Sequence, residues 1–337
     1  CGYLQELGLP CYCTREQWEY LQNKEHFKRL CIEYGLPVVP KYDYELENPK
    51  RNIPDSAFPV ITKPTDGCGS SGFSVCRNSE ELRKGYAIAR QASPTGSVIV
   101  EKFVKNDGVV VFYTFSNGKM YFSGLEDKYQ KQGSYVGGLF VFESKLTQEF
   151  RLHFDEKIAE MFQSIGIREG SVWIEVFHDG ENYYFNEVGF RYGGSVSIYP
   201  VDYFYQINQV AADIHYALTG ESCISEHTSL IRSTLPRKKY YCIYPVHINA
   251  GTISSISGLD KIAQLENIVY LATTKYLHDR IESSGSFSQV FALVHFVCNT
   301  TEECIQTIDR IHQMLVVFDE HGNNMVNRML DVGKIIF

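Results

Sequence analysis

The stretch Phe58–Val75, FPVITKPTDGCGSSGFSV, constrains the fold more than any other part of the chain. An apolar strand, Pro59–Thr62, leads through Lys63 into a run of small and polar residues, and apolar residues resume at Phe73. Glycines in such a run allow positive φ and a close approach of the backbone to a ligand. Its N–H groups can bind an anion, and Lys63 adds a positive charge beside them. The stretch therefore predicts either a phosphate-binding loop or an ordinary hairpin turn, and it matches neither GxxxxGK[ST] nor GxGxxG followed by a helix.

Length and composition exclude several classes of protein. A chain of 337 residues, 44% of them hydrophobic, can form two or three subdomains with sizeable cores. A net charge of −8 argues against nucleic acid as a partner. No apolar run is long enough to cross a bilayer, so we expect no membrane partner. Ten cysteines without a CxxC pair predict reduced thiols in a cytoplasmic protein, with Cys11 and Cys13 packing rather than binding zinc.

Local signals predict an alternation of helices and strands. Thr14-x-x-Gln17 is typical of a capping box, and Asn23 is expected to cap a helix that ends at Gly35. Asp179-Gly180 predicts a hairpin turn. Further helices are predicted to begin at Asn78 or Ser79, at Thr147, at Asp202 (burying Ile207, Val210, Ala211, Ile214 and Leu218) and at Thr300, and strands at Ser97–Val104, Val109–Phe115, Lys119–Phe122, Ser171–Phe177, Asn182–Val188, Tyr240–Ile248, Ile268–Thr273 and Val290–Cys298.

Two carboxylates and an arginine carry the second chemical signal. Glu175 and Glu187 lie on the two arms of the predicted hairpin, where a tight turn can bring them to one face. Carboxylate oxygens suit Mg²⁺, which is commonly held by one or two carboxylates together with substrate phosphates. Arg191 follows beside a Gly-Gly-Ser turn and could stabilise negative charge that develops during a reaction. Taken singly, each of these residues is also compatible with an ordinary surface position.

Together these motifs resemble the ATP-grasp superfamily, of the biotin carboxylase and carbamoyl-phosphate synthetase type. Asn23-Lys24-x-x-Phe27-Lys28 with the later Gly35-Leu36-Pro37 is similar to the family's DK-x-x-FK…G-[IV]-P segment. Phe58–Pro64 and the glycine loop resemble its lysine strand and its flexible lid over the phosphates. Val100–Val104 is similar to the hinge that contacts adenine. The resemblance covers most of the chain.

The resemblance implies a set of site residues. ATP would be bound by Lys24, Lys63, Gly69, Ser70, Ser71, Gly72, Glu101, Lys102, Phe103, Val104 and Asp107; Mg²⁺ or Mn²⁺ by Glu175 and Glu187; the acyl substrate by Gly193, Gly194 and Ser195; and the catalytic residues would be Arg191 and Lys128. Cys68–Gly72 would form a mobile lid.

Two positions depart from the family pattern. The motif E-V-N-P-R reads Glu187-Val188-Gly189-Phe190-Arg191 here, which removes a frequent metal-binding asparagine and puts tight binding of a second Mg²⁺ in doubt. The acidic residue that usually holds the ribose falls at Gly108, and Asp107 could replace it.

The resemblance also implies a fold and its division. The expected fold is α+β, an ATP-grasp fold with two α+β subdomains clasping ATP and with the N-terminal α/β subdomain largely absent. The expected ranges are a remnant of that subdomain with the first helices and a linker (1–57), the lid subdomain (58–124), the catalytic core (125–235) and its C-terminal closing part (236–337).

The implied activity is ATP-dependent ligation. ATP would convert a carboxylate into an acylphosphate, and an amine would displace the phosphate, with ADP and phosphate released. Small-molecule carboxylates and amines would be the partners, and a homodimer is the default expectation. The C-terminal part, which resembles amino-acid ligases, favours this reading. The alternatives are activation of bicarbonate, as in biotin carboxylase and carbamoyl-phosphate synthetase, and a degenerate ATP-binding regulatory protein.

Overall fold

A computed structural model describes residues 1–48, 52–66, 72–104, 108–132, 136–224, 238–283, 285–328 and 330–337. The chain divides into two compact units, each built from two separate segments. The first unit comprises Cys1–Ser123 and Gln148–Ile231, and the second comprises Gly124–Thr147 and Arg232–Phe337.

The helices and strands are numbered in chain order. The helices are α1 (Gly2–Glu6), α2 (Arg15–Gln22), α3 (Lys24–Glu33), α4 (Ser79–Ala92), α5 (Thr147–Ser164), α6 (Ile198–Tyr205), α7 (Gln209–Thr219), α8 (Leu259–Ala263) and α9 (Thr301–Met314). The strands are β1 (Lys41–Tyr42), β2 (Val60–Pro64), β3 (Ser74–Cys76), β4 (Val98–Lys102), β5 (Val109–Ser116), β6 (Lys119–Gln130), β7 (Gly137–Phe142), β8 (Gly170–His178), β9 (Tyr183–Gly189), β10 (Tyr240–Ile248), β11 (Gly251–Ser257), β12 (Ile268–Thr273), β13 (Arg280–Ile281), β14 (Val290–Cys298), β15 (Val316–Asp319) and β16 (Val326–Asn327).

The first unit contains a small sheet that carries Lys63. Its strands run in the order β1-β4-β2-β3 and pair antiparallel, with Lys63 of β2 opposite Ile99 of β4. Helix α4 packs on β2 and β3 and is capped by Asn78, as the sequence predicts. The buried core of this layer consists of Ile53, Val60, Cys76, Leu82 and Val100. The lysine strand is therefore fixed on both edges and on one face.

The same unit contains the antiparallel strands β5, β8 and β9. Strand β8 buries alternate residues, so that Val172, Ile174 and Val176 point into the core while Trp173 and Glu175 lie on the half-buried opposite face. Helix α5 supplies a further layer of aromatic contacts, with Phe150 and Phe154 both packed against Phe185 of β9, among other aromatic residues. This packing holds the β8–β9 hairpin on a rigid support.

Helices α2 and α3 form as their capping signals predict. Thr14 and Gln17 complete a reciprocal capping box, and the Asn23 side chain accepts hydrogen bonds from Glu25 N and His26 N. Gly35 adopts a φ of 66°, which lets the chain leave α3. It then runs beside β9, where Phe185 N donates to Pro37 O at 2.7 Å. Helix α3 also packs on β9 of the β8–β9 hairpin.

The second unit is built on strands β6, β7, β10, β14 and β12, which pair in that order, with β16 beside β10. Strand β6 begins in the first unit and continues into the second. Strands β13, β11 and β15 form a separate small sheet. Helix α9, capped by Thr300 as predicted, buries Cys304, Ile308 and Ile311 against the core. Strands β10, β12 and β14 have the bounds that the sequence predicts.

The predicted single helix from Asp202 is wrong. The chain forms α6 and then α7, because Gln206 has a left-handed conformation with φ of 57° and Asn208 caps a new helix. Ile207 is buried, but Ile214 and Leu218 are 55% and 80% exposed. No helix within the described ranges is both long and apolar enough to cross a membrane.

Candidate active site

The β8–β9 hairpin places the two predicted metal carboxylates opposite each other. Glu175 and Glu187 are register partners across the antiparallel pair. The next pair along is Val176 with Phe185, so Asn186 is an extra residue in a β-bulge. A bulge re-aims side chains. Here it brings the amide of Asn186, which is 4% exposed, to Glu175, where Asn186 Nδ2 donates to Glu175 Oε2 at 2.7 Å.

Lys63 connects the small sheet to this hairpin. Its Nζ donates to Asn186 Oδ1 at 2.9 Å and to Glu101 Oε2 at 3.1 Å. The same ammonium group lies 5.3 Å from the centre of the Phe177 ring. Lys63 is only 8% exposed, so its charge is compensated by these partners rather than by water. Asn186 thus bridges a cation and a carboxylate with the two ends of its amide.

Glu101 is the centre of a buried charge cluster. It is fully buried and accepts hydrogen bonds from both Lys63 and Lys28. Burial raises the pKa of the Glu101 carboxyl, but the charges of Lys63 and Lys28 outweigh this and hold the pKa below its ordinary value. Burial lowers the pKa of Lys28 to about 8, although the attraction of Glu101 acts in the opposite direction. The local balance is two ammonium groups to one carboxylate, a surplus of positive charge.

Lys24, at the N-terminal end of α3, finds an anionic partner. Its Nζ lies 3.3 Å from Glu187 Oε2, and its side chain is 11% exposed. A cation at a helix N-terminus opposes the macrodipole, and Glu187 supplies a negative charge beside it. We call the whole group of side chains the lysine–carboxylate cluster: Lys24, Lys28, Lys63, Glu101, Glu175, Asn186 and Glu187.

The cluster has the ligand chemistry of a Mg²⁺–polyphosphate site. Glu175 and Glu187 offer hard oxygen atoms from adjacent strands, and these atoms suit Mg²⁺. Lys24, Lys28 and Lys63 offer cations that suit phosphate oxygens. The donor set therefore fits both halves of a magnesium nucleotide.

Arg191 lies beyond the end of β9 and stacks on an aromatic ring. Its guanidinium carbon is 5.4 Å from the centre of the Trp173 ring, and its Nη1 donates to Tyr192 O at 2.7 Å. Among the described residues, no carboxylate lies within ion-pair distance of Arg191. Within the described residues, the Arg191 guanidinium therefore forms no ion pair with a carboxylate.

The predicted acyl-binding turn is sterically tight at one glycine and open at the next. A Cβ on Gly193 would lie 2.0 Å from Ser197 Oγ, whereas a Cβ on Gly194 would meet nothing within 4 Å. Ser195 is 8% exposed, and Val196 has a φ of 61°. The backbone of this turn is thus held in one shape by its own contacts.

Several predicted site residues are not members of the cluster or fall outside the described residues. Lys102 is exposed at the end of β4, with Phe103 half-buried and Val104 buried beyond it. Gly72 has a φ of 73°, and a Cβ there would lie 2.3 Å from the Ala92 Cβ. Lys128 lies on β6 in the second unit, opposite Phe140. The others, Gly69, Ser70, Ser71 and Asp107, fall outside the described residues, as does most of the predicted lid.

Lys28, Asn186 and Trp173 belong to the site but were not predicted as site residues from the sequence. Lys28 lies in the same motif as Lys24, and the spacing of four residues indicates that both can share a helix face. Trp173 lies two residues before Glu175, the spacing of a shared strand face. Asn186 gave no such signal, because only a bulge brings it to the site.

Known proteins resemble this chain in sequence and in structure. Residues 56–198 match the family described as ATP-grasp domain. In structure the chain is similar to the L-amino acid ligase from Bacillus licheniformis, with a TM-score of 0.76, 20% identity and coverage of 94% of this chain and 76% of that one. It is also similar to the biotin carboxylase domain of 2-oxoglutarate carboxylase from Hydrogenobacter thermophilus in complex with MgADP and bicarbonate, with a TM-score of 0.70, 18% identity and coverage of 92% and 68%.

Curated relatives match over a shorter stretch. The small subunit of 2-oxoglutarate carboxylase from Hydrogenobacter thermophilus is 26% identical over 187 residues, which is 51% of this chain and 39% of that protein. The formate-dependent phosphoribosylglycinamide formyltransferase of Pseudomonas fluorescens is 24% identical over 194 residues, 56% of this chain and 48% of that protein. The chain thus spans less than half the length of these two relatives.

These findings confirm the resemblance and the fold: residues 56–198 match the ATP-grasp domain, and the chain has the ATP-grasp fold. The division into lid, core and closing part, and the roles of the individual site residues, stay predictions.

Proposed function

We propose that the chain is an ATP-dependent ligase that activates a small carboxylate as an acylphosphate and joins it to an amine. The observation that carries the proposal is the lysine–carboxylate cluster, in which Lys28 and Lys63 share Glu101 while Lys24 pairs with Glu187, one of the two opposed carboxylates. The similarity in structure to an L-amino acid ligase supports carboxylate–amine ligation as the reaction class.

In the proposed complex, Lys24, Lys28 and Lys63 bind the phosphates of ATP, and Glu175 and Glu187 hold Mg²⁺. The metal, when bound, supplies positive charge that offsets the charge on the phosphate oxygens. Asn186 and Glu101 keep Lys63 oriented, because the Lys63 ammonium donates to both. The backbone of Val100–Val104 is proposed to contact adenine, since the side chain of Glu101 is already engaged by two lysines.

The proposed reaction has two steps. A substrate carboxylate oxygen attacks the γ-phosphorus, the bond to ADP breaks, and an acylphosphate forms. The amine nitrogen then attacks the acyl carbon, the bond to phosphate breaks, and the amine loses a proton. Arg191 stabilises the negative charge on the acyl oxygens in both steps, and the Gly193–Ser195 turn binds the carboxylate. Positioning and electrostatic stabilisation supply most of the catalysis in such transfers.

Release of phosphate from ATP tests the proposal. The chain is incubated with Mg²⁺, ATP and pools of carboxylates with or without amines, and phosphate release is expected to need both pools. Lys63→Gln and Glu187→Gln are expected to abolish the release. The matched controls are Lys84→Gln and Glu80→Gln, an exposed ion pair on α4, and these variants should keep it. Measurable ATP binding without release from any pool would contradict the ligase and favour a regulatory protein.

Bicarbonate activation is the second candidate, because a similar structure is a biotin carboxylase domain with MgADP and bicarbonate. Release of phosphate that depends on bicarbonate alone, and that no other carboxylate supports, would identify this reaction.

A further inference from the structure

Strand β8 presents an aromatic residue on each side of Glu175. Trp173, Glu175 and Phe177 are alternate residues of one strand, so their side chains share a face, and all three are half-buried. A positively charged side chain lies over each of the two aromatic rings. Arg191 stacks on Trp173 at 5.4 Å, and Lys63 lies over Phe177 at 5.3 Å. Both distances are within the range of a cation–π contact.

The Trp173 indole also covers Gly189. The two residues are register partners across β8 and β9. A Cβ on Gly189 would lie 2.2 Å from Trp173 Nε1 and 2.3 Å from Cε2, distances that no side chain can occupy. The indole therefore fills the space that a side chain at residue 189 would need, and glycine is the residue that leaves room for it.

The indole is held by packing rather than by a hydrogen bond. Trp173 Nε1 is buried and has no hydrogen-bond partner among the described residues. A buried indole N–H usually finds a partner, so this one carries a cost. Its packing partners include Gly189 and the Arg191 guanidinium. Arg191 itself is exposed, and its Nη1 donates a hydrogen bond to Tyr192 O.

We propose that Trp173 is a positioning residue, which holds the Arg191 guanidinium at the acyl site by stacking and whose fit depends on Gly189. This proposal rests on the proposed role of Arg191 in binding the acyl group. A long arginine side chain loses considerable rotamer entropy when it is fixed. A rigid aromatic platform restrains it without neutralising its charge, which a carboxylate partner would do. Arg191 thus stays available for an anionic substrate.

Fluorescence tests the stacking without any substrate. The chain has two tryptophans, Trp18 and Trp173, so Trp18→Phe leaves Trp173 as the tryptophan observed. In this background, Arg191→Met is expected to change the emission of Trp173, and Gly189→Ala is expected to shift it by displacing the ring. Arg90→Met, an exposed arginine of α4, is the matched control and should leave the emission unchanged. If Arg191→Met behaves like Arg90→Met, the platform is refuted.

Steady-state kinetics test whether the stacking of Arg191 on Trp173 supports use of the carboxylate. Trp173→Leu removes the aromatic face and is expected to lower kcat/KM for the carboxylate about tenfold, the size of a well-formed cation–π contact. Trp173→Phe keeps an aromatic face and should retain most of the activity, and the KM for ATP should change less than about twofold in both variants. Circular dichroism and Tm check that both fold. Wild-type kcat/KM in folded Trp173→Leu would overturn the proposal. If the wild type turns over no carboxylate, the proposed function fails, and the emission data still decide the platform.

Discussion

Lys63 and Asn186 are 123 residues apart in sequence, and Lys63 Nζ donates to Asn186 Oδ1 at 2.9 Å. This contact links the strand that begins the glycine loop to the hairpin that carries both predicted metal carboxylates. Because Asn186 Nδ2 donates to Glu175, one amide fixes the lysine proposed to bind phosphate and a glutamate proposed to bind the metal at the same time.

Replacing Asn186 is expected to loosen both partners. Asn186→Ala should raise the KM for MgATP by roughly 10- to 100-fold, the usual cost of losing a group that orients metal ligands. Asn182→Ala on the exposed turn of the same hairpin is the control and should leave KM unchanged. Steady-state kinetics with varied MgATP measure the effect, and an unchanged KM in Asn186→Ala would show that the amide has no such role.

Removing the charge of Glu101 is expected to destabilise the fold. Glu101→Gln leaves Lys28 and Lys63 buried without their shared carboxylate, at a cost of about 3–5 kcal/mol. Glu47→Gln breaks the exposed ion pair with Arg90 and should cost at most about 1 kcal/mol. Urea unfolding measures both free energies. An equal loss in the free energy of unfolding for the two variants would mean that the buried Glu101 contributes no more to stability than an exposed ion pair.

Lys28 is expected to make ATP binding depend on pH. Burial lowers its pKa to about 8, so the folded protein loses this positive charge as pH rises through about 8. Affinity for ATP should fall over the same range, as measured by titration calorimetry from pH 7 to 9.5. Lys28→Arg stays protonated throughout and should remove this fall.

The lowered pKa of Lys28 also predicts how the free energy of unfolding changes with pH. Between about pH 8 and the ordinary lysine pKa, the unfolded chain binds a proton at Lys28 that the folded chain does not. The contribution of Lys28 to the free energy of unfolding should therefore rise with pH in this window. Urea unfolding at several pH values measures this contribution as the difference in the free energy of unfolding between wild type and Lys28→Met. A difference that stays constant with pH would contradict the prediction.

The two glycines of the acyl turn are expected to respond differently to alanine. Gly193→Ala forces a Cβ against Ser197 Oγ and should cost about 1–3 kcal/mol of stability and impair use of the carboxylate. Gly194→Ala places its Cβ in open space and should change neither. Thermal unfolding and kcat/KM for the carboxylate compare the pair, and equal behaviour would show that the turn does not form the site as proposed.

Much of the fold could be predicted from local chemistry. The caps at Thr14, Asn23, Asn78 and Thr300 and the Asp179-Gly180 turn are decided by short-range hydrogen bonds and by the positive φ that glycine allows, so residue types at fixed spacing are enough. The helix from Asp202 was mispredicted because apolar spacing alone does not reveal the left-handed Gln206. Ile214 and Leu218 have helical spacing, but they lie on the exposed face.

The sequence alone placed Glu175 and Glu187 on the two arms of one hairpin, because the Asp179-Gly180 turn joins those arms. The bulge at Asn186, which the structure decided, sets the two carboxylates opposite each other, since the register next to the turn would otherwise pair Glu175 with Asn186. The sequence also placed Lys24 at the start of a helix and Lys63 at the end of a strand. Only the tertiary structure decided that Glu101 accepts hydrogen bonds from two lysines, that Asn186 links Lys63 to Glu175, and that Trp173 contacts both Gly189 and Arg191. These relationships depend on a bulge, on burial and on packing between segments far apart in the chain. Such features are set by the whole fold, and no local pattern of residues encodes them.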